Sequence, residues 1–379
     1  MQSVHSVLDI FCGAGGLSKG LHMGLNSDGA MAYRVVGAID NWPAACETFK
    51  INHGIEPVCD KVTRESVAKA LGGRKTVDIV CGGPPCQGFT TMRHGGKKNL
   101  DPITRVLDDE RNRCVLAFVE AVEQVKPLAF LMENVSGFMT FQKGQLHREV
   151  VERLRQGYKI AEKIVLAADH GVPQMRRRFI LIGTTDREFV FPVRSVAQDR
   201  TFREATDDLP EIAGRYGDVL PYASVDPRND YQQAMRDGSD PRSCTEHTAS
   251  VHSEKILAVI SKLKEGESAT DPKVQTRLLA EGVDLKHMVR TDYFGNTYAR
   301  IFWDRPAPTI TRNFTTPSSS NCVHPSQPRG LTVREGARCQ SFPDTYRFAG
   351  THGDKRLLIG NAVPPLLGLA LGRALLEHL

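Results

Sequence analysis

The sequence predicts an α/β protein: a doubly wound, mostly parallel sheet accompanied by a second, smaller, loop-rich domain. Three observations carry that prediction. From residue 4 to about 185, runs rich in Val, Ile, Leu and Phe alternate with helix-like segments, the rhythm of repeated βαβ units. After Phe191, Asp, Arg, Ser, Pro and Gly become frequent and apolar periodicity weakens. Past about residue 325 regular segments return, ending in the apolar stretch 364–379.

The strands expected are 4–10, 33–40, 77–81, 128–133, 160–167 and 178–183, continuous apolar runs of the kind buried on both faces. The helices expected between them are 17–25, 42–52, 111–125 and 146–156. Turn clusters such as Pro227-Arg228-Asn229-Asp230 and Asp237-Gly238-Ser239-Asp240-Pro241 punctuate the second region. Loops on a rigid scaffold commonly carry recognition. Segment 332–341 reads as a helix opened by a Thr332/Glu335 capping box. The apolar helix expected over 364–379 needs cover, and packing it back on the first domain is the economical solution. The domains are therefore expected at 1–190, 191–325 and a returning segment 326–379.

With 379 residues, 40% hydrophobic and 25% charged, the chain has the make-up of a globular protein large enough for two domains. No apolar run approaches the ~18 residues of a membrane span, and the amino terminus lacks a basic-then-apolar signal pattern. A cytoplasmic protein with no membrane partner is expected. The nine cysteines form no CxxC pair and no zinc-ligand spacing, which points to reduced thiols and no metal. The net charge of +5 is compatible with nucleic acid. Arg176-Arg177-Arg178 and Lys97-Lys98 lie in or beside motif-bearing loops, where a polyanion can be held.

The chemistry concentrates at strand ends. In Gly82-Gly83-Pro84-Pro85-Cys86-Gln87-Gly88-Phe89-Thr90 a cysteine follows two prolines that stop the preceding strand and fix the backbone. Open α/β sheets bind ligands at the carboxyl ends of their strands, so Cys86 is mounted as a nucleophile. The segment from Asp9 to Ser18, with Gly13, Gly15 and Gly16, lets the backbone turn tightly and aim helix amides at a ligand. Asp40, 31 residues after Asp9, ends the next strand, where an acid accepts bonds from ribose hydroxyls. Trp42 offers a face for an adenine. Together these describe an adenosine site and leave NAD, ATP and S-adenosylmethionine open.

Glu133, in Leu131-Met132-Glu133-Asn134-Val135, is a carboxylate among apolar neighbours with reason to hold or share a proton. Arg176 and Arg178 fall on one face of an extended segment, where two guanidiniums can clamp carbonyl or phosphate oxygens. His170 reads as a turn residue rather than a catalyst.

These residues resemble the cytosine-C5 DNA methyltransferase family. The matching segments occur in the family's order: 9–18, Asp40 with Trp42, 82–90, 132–135, 169–178, 329–348 and 359–365. The unmatched gap, about 190–290, is where that family keeps its variable target-recognition region. The resemblance implies a Rossmann-like methyltransferase fold and a sequence-specific DNA (cytosine-5)-methyltransferase of prokaryotic or phage restriction-modification type. It implies S-adenosylmethionine as cofactor, double-stranded DNA as substrate and base flipping of the target cytosine. A monomer is expected, and a cognate restriction endonuclease acting on the same site is compatible with it.

By the resemblance, Cys86 adds to C6 of cytosine, Glu133 engages N3 and the 4-amino edge, and Arg176 and Arg178 lie near O2 and the phosphates. Phe11, Gly13, Gly15, Gly16, Asp40, Trp42, Asp60, Pro85, Asn361 and Val363 are implied to line the cofactor pocket. Gln87, Thr90, Gln174, Thr309 and Ile310 are implied to meet DNA, and 88–106 to be the catalytic loop. Three departures stand out: Lys61 after Asp60, Cys114 at a usual leucine, and Thr90 for a serine. The rival readings are a tRNA cytosine-5 methyltransferase of the same fold and a DNA-binding regulator without catalysis. The first lacks its Cys-Phe-Thr tripeptide here; against the second stand Cys86, Glu133 and the arginines.

Overall fold

The structure, a computed structural model, describes residues 4–85, 110–212, 219–240, 242–285 and 297–379. Cys86, Gln87, Thr90 and the expected catalytic loop 88–106 with Lys97-Lys98 lie outside the described residues. Two compact units form: Met1–His170 with Arg177–Ser195 and Val363–Leu379, and Gly171–Arg176 with Val196–Ala362.

In the first unit the chain runs β1 (His5–Ile10), α1 (Gly16–His22), β2 (Tyr33–Asp40), α2 (Pro43–His53), β3 (Val58–Cys59), α3 (Arg64–Leu71) and β4 (Ile79–Gly82). It continues through α4 (Glu110–Val125), β5 (Ala129–Asn134), α5 (Gln145–Arg155) and β6 (Lys159–Leu166). After β7 (Gln174–Met175), which belongs to the second unit, β8 (Arg177–Thr184) closes the sheet. Strand order is β3-β2-β1-β4-β5-β8-β6. The first five strands are parallel, and β8 runs antiparallel to both β5 and β6.

The expected strands all form within two residues of their places; the central β4 and β5 are apolar runs buried throughout, whereas the edge strand β6 exposes Lys159, Glu162, Lys163 and Ile164. Val80, Phe118, Phe130, Met132, Val150 and Leu181 are among the side chains of the core. Helix α3 went unforeseen. Its capping box pairs Thr63 with Ser66 rather than a glutamate, so its start carries little sequence contrast.

The last helix, α12 (Pro365–Leu376), covers α1 as expected. The crossing depends on absent side chains: a Cβ at Gly20 would stand 2.3 Å from the Pro365 carbonyl oxygen. Tyr33 donates its hydroxyl to the Gly372 carbonyl at 2.5 Å. The stretch His352–Leu376 is long and apolar enough to cross a membrane, yet 61% of its apolar window is buried in the protein.

The second unit has α6 (Phe202–Thr206), α7 (Asp230–Arg236), α8 (Glu254–Ile260), α9 (Pro272–Ala280), α10 (Val333–Cys339) and α11 (His352–Asn361). Its β9 (Ala307–Pro308) pairs in parallel with β7. Polar ties support its smaller apolar clusters. Arg338, fully buried on α10, donates to both oxygens of Asp344 at 2.6 Å and to Asp208 at 3.2 and 3.3 Å. Arg329 forks onto Glu335 with two bonds of 2.7 Å. Burial alone would raise the Glu335 carboxyl, but the Arg329 charge outweighs it and holds it far below the usual range.

These ties correct the expected boundaries. Segment 326–362 belongs to the second unit, and the return to the first begins only at Val363. Residues 171–176 also join the second unit. Buried polar bonds from α10, Gln174 and Arg176 decide this, and such long-range pairings leave no periodic trace in sequence.

Candidate active site

The glycine loop leaves β1 through a sequence of left-handed turns: Phe11 at φ 58°, Gly13 at 53° and Gly15 at 73°. A non-glycine residue there is strained, and such strain gathers at ligand-binding turns. The loop is pinned to the end of β2. Cys12 N donates to the Ile39 carbonyl at 3.1 Å and Gly13 N to Asp40 Oδ2 at 2.8 Å. The other oxygen, Oδ1, accepts from Trp42 N at 2.9 Å. Burial raises the Asp40 carboxyl, partly offset by these amides. Asp40 is thus a staple for the loop, its carboxylate engaged by the Gly13, Trp42 and Asn41 amides and keeping one further acceptor position.

Trp42 stands half-buried at the N-cap position of α2. Phe11 is also half-buried. Asp60 is exposed, its Oδ1 accepting from Lys61 N at 2.7 Å. Val363 is buried in the first unit and Asn361 is exposed at the end of α11 in the second.

Beneath the loop lies a residue that sequence reasoning did not single out. Asp9 is 1% exposed and accepts the Ser18 hydroxyl at 2.5 Å. Burial pushes its pKa up to about 7, with the nearby Asp40 charge adding and the Ser18 and Cys81 bonds opposing. The folded state therefore keeps a proton that the unfolded chain releases near 3.8, so this stability is present below that pH and lost as pH rises through 7. Asp9→Asn is expected to flatten the fall in melting temperature between pH 5 and 8; parallel profiles for variant and wild type would refute this.

At the end of β4, Gly82 allows close approach to β1, since its Cβ would lie 1.9 Å from the Ile10 carbonyl oxygen. Gly83 leaves space for Glu133: a Cβ there would stand 3.2 Å from Glu133 Oε2. Asn134 Nδ2 donates to the Pro84 carbonyl at 3.3 Å, tethering the proline pair to β5. Pro85 is exposed. Glu133, buried at the end of β5, pairs with Arg178 Nε at 2.8 Å. The reversed β8 makes this possible. Asn134 stands opposite Phe179, so the start of β8 meets the carboxyl end of β5.

Three expected residues sit elsewhere. Arg176 is not paired with Arg178 as a surface clamp. It is 1% exposed and donates to the carbonyls of Ile310 (3.1 Å), Gly360 (3.2 Å) and Ala362 (2.8 Å). Gln174, expected to meet DNA, is fully buried. Its amide donates to Cys339 O at 3.0 Å and Gln340 Oε1 at 2.8 Å, and its oxygen accepts from Ile310 N at 2.7 Å. The Ile310 side chain is fully buried as well. Gln174 and Arg176 are drawn inward by the hydrogen-bonding demand of loop backbone, and Ile310 is buried as an apolar side chain. Thr309 stays half-exposed, its hydroxyl donating to the Met175 carbonyl at 2.7 Å. His170 occupies a short 3-10 turn, as expected of it. Among the described residues no group of three or more His, Cys, Asp or Glu is arranged to hold a metal.

A seven-stranded sheet with one reversed strand, carrying a glycine loop stapled to an acid at the neighbouring strand end, defines an α/β methyltransferase fold. A crystal structure described as a prophage-encoded DNA modification methyltransferase from E. coli superposes with a TM-score of 0.73, covering 99% of both chains at 24% identity. The Entamoeba histolytica methyltransferase EhMeth gives 0.59, again over 99% of both chains, at 13% identity.

Sequence relatives narrow the class. The profile of the C-5 cytosine-specific DNA methylase family matches residues 5–377. The Type II methyltransferase M.DdeI of Desulfomicrobium norvegicum is 33% identical, over 97% of this chain and 87% of its own. M1.HphI of Haemophilus parahaemolyticus is 31% identical, over 98% and 86%. The chain belongs to the C-5 cytosine-specific DNA methylase family and is a DNA cytosine-5 methyltransferase.

Proposed function

We propose that Cys86 carries the family's reaction in this chain, adding its thiolate to C6 of a cytosine rotated out of a specific double-stranded DNA site. The observation that supports this best is the Glu133–Arg178 pair at 2.8 Å, seated against Gly83, three residues before Cys86. Cytosine C5 is a poor nucleophile. A thiolate bonded to C6 pushes the ring electrons towards C5, which is covalent catalysis. Glu133 hydrogen-bonds N3 and the 4-amino edge and so offsets charge as the adduct forms. Arg178 orients that carboxylate. Once C5 carries the methyl group, a base removes its proton, the C6–S bond breaks and the ring regains its double bond as Cys86 leaves as thiolate.

Methyltransferases of this family imply S-adenosylmethionine, and the residues fit its adenosine half. Asp40 keeps an acceptor position for a ribose hydroxyl, and the half-buried Trp42 would stack on adenine. Phe11, Gly13, Gly15, Gly16 and Val363 would line the pocket with Pro85, while Asp60 would reach an adenine edge. When bound, the cofactor supplies an electrophilic methyl group. Stacked bases hide the C5–C6 bond, so the enzyme must unstack its target at a cost of a few kcal/mol. Thr309 is the remaining candidate beside the displaced base, with Gln87 and Thr90 from the segment outside the described residues. A cytoplasmic monomer acting beside a cognate endonuclease fits the Type II relatives.

Bisulfite sequencing of DNA from cells expressing the protein will give the methylated base and its context. A duplex with 5-fluorocytosine at that position is then expected to trap the enzyme covalently, because fluorine cannot leave as the C5 proton does. Trapping on tRNA alone would move the substrate to RNA; no adduct on either would remove the covalent mechanism.

A further inference from the structure

The segment Thr309-Ile310-Thr311-Arg312-Asn313 lies flush against the last turn of α11. A Cβ at Gly360 would stand 2.4 Å from Arg312 N and 2.6 Å from Arg312 Cα. The buried Arg176 ties the two from within, through the Ile310 and Gly360 carbonyls. The outer side of the same junction carries two more arginines. Arg356, half-buried on α11, donates through Nη1 to the Arg312 carbonyl at 2.5 Å and to Asn313 Oδ1 at 2.6 Å. Arg312 is exposed beside it.

Among the described residues, neither guanidinium has a carboxylate partner. The other charges on α11 are committed elsewhere: Lys355 to Glu246 at 2.7 and 2.9 Å, and Asp354 to its own cap with Thr351. Burial and the Arg312 charge hold the Arg356 pKa below the usual arginine range. Two like charges held together by fixed backbone bonds are unfavourable unless an anion joins them. The junction also carries Thr309, the half-exposed residue proposed to stand beside the target base.

We propose that Arg312 and Arg356 form a phosphodiester clamp, gripping the backbone of duplex DNA next to the target base without reading sequence. Guanidinium forks suit phosphate oxygens, and a grip on phosphate sets register on the duplex while carrying no sequence information itself. The proposal deepens the reading of Thr309 and rests on the engagement of duplex DNA.

The test uses the full-length protein and two unrelated 30-base-pair duplexes, with affinity measured by fluorescence anisotropy across a range of NaCl. Arg312→Gln is the primary variant, since its side chain makes no bond within the protein among the described residues. Removing one phosphate interaction lowers the slope of log affinity against log salt by about 0.9. Arg312→Gln is expected to lower it by that amount on both duplexes alike, and Arg312→Lys to retain most of it. Arg356→Gln should act in the same direction, with its melting temperature recorded because it also loses two bonds to the 312–313 segment. An unchanged slope for Arg312→Gln, or an effect confined to one duplex, overturns the clamp. Methyl transfer to plasmid DNA by the same wild-type preparation separates this result from failure of the proposed function.

Discussion

Replacing Cys86 by serine is expected to abolish methyl transfer while leaving cofactor and DNA binding largely intact. A serine hydroxyl stays protonated near neutral pH and is a far weaker nucleophile than a thiolate. Loss of a covalent nucleophile lowers turnover by roughly four orders of magnitude or more. The cofactor loop should be indifferent to the change, because its anchors are Ile39 and Asp40 on β2 and not the proline turn. Tritium transfer to DNA reads the chemistry, and calorimetric titration with the cofactor reads binding. Robust transfer by Cys86→Ser would eliminate the thiolate mechanism, whereas lost cofactor binding would make Cys86 a structural residue.

Arg338→Leu is expected to be the most damaging change in the second unit. Arg338 is fully buried between Asp208 and Asp344 and also donates to the Ala205 carbonyl at 2.8 Å. Removing it takes the shared bidentate partner from two buried carboxylates, leaving Asp344 with Arg334 at 3.5 Å and the Tyr222 hydroxyl, and Asp208 with Arg236 at 3.6 Å; breaking a buried pair costs about 3–5 kcal/mol. Burial alone would raise the Asp344 carboxyl, but Arg338 and Arg334 outweigh it and hold it below 3.8. That contribution is present above 3.8 and lost as pH falls through the folded value. The gap between wild type and variant should therefore be widest near neutral pH and narrow in acid. Urea unfolding at pH 7 and again below pH 3 measures it; a gap that stays constant would mean the loss is one of packing and not of charge.

Much of the first unit was legible in the sequence, since buried parallel strands are apolar runs and glycine loops and prolines punctuate them. Asp40, Trp42 and Glu133 could be picked out because each is a polar or aromatic residue at the end of such a run. Asp9 escaped notice for the opposite reason: it sits inside the motif, and only its burial beneath the loop gives it a distinct character. Arg176 was grouped with Arg178 because alternation along an extended segment says only which residues share a side. It does not say whether that side meets solvent or the backbone carbonyls of loops distant in the chain. The second unit was the least legible, as its buried arginines pair across long separations, Arg338 with Asp208 being 130 residues apart.

By itself the sequence determined the α/β class, the family, the cysteine on its proline mount and the order of the strand-end motifs, because these are properties of local pattern and spacing. Only the tertiary structure decided which residues meet. Antiparallel entry of β8 between β5 and β6 carries Arg178 to the carboxyl end of β5, where it pairs with Glu133. A parallel β8 would have delivered it to the opposite end of the sheet. The same decision divides the two neighbouring arginines: Arg178 meets a carboxylate at the candidate site, and Arg176 is buried against three loop and helix-end carbonyls. Strand direction and backbone hydrogen-bond demand are set by the whole fold, so no reading of the Arg-Arg-Arg triplet could have separated them.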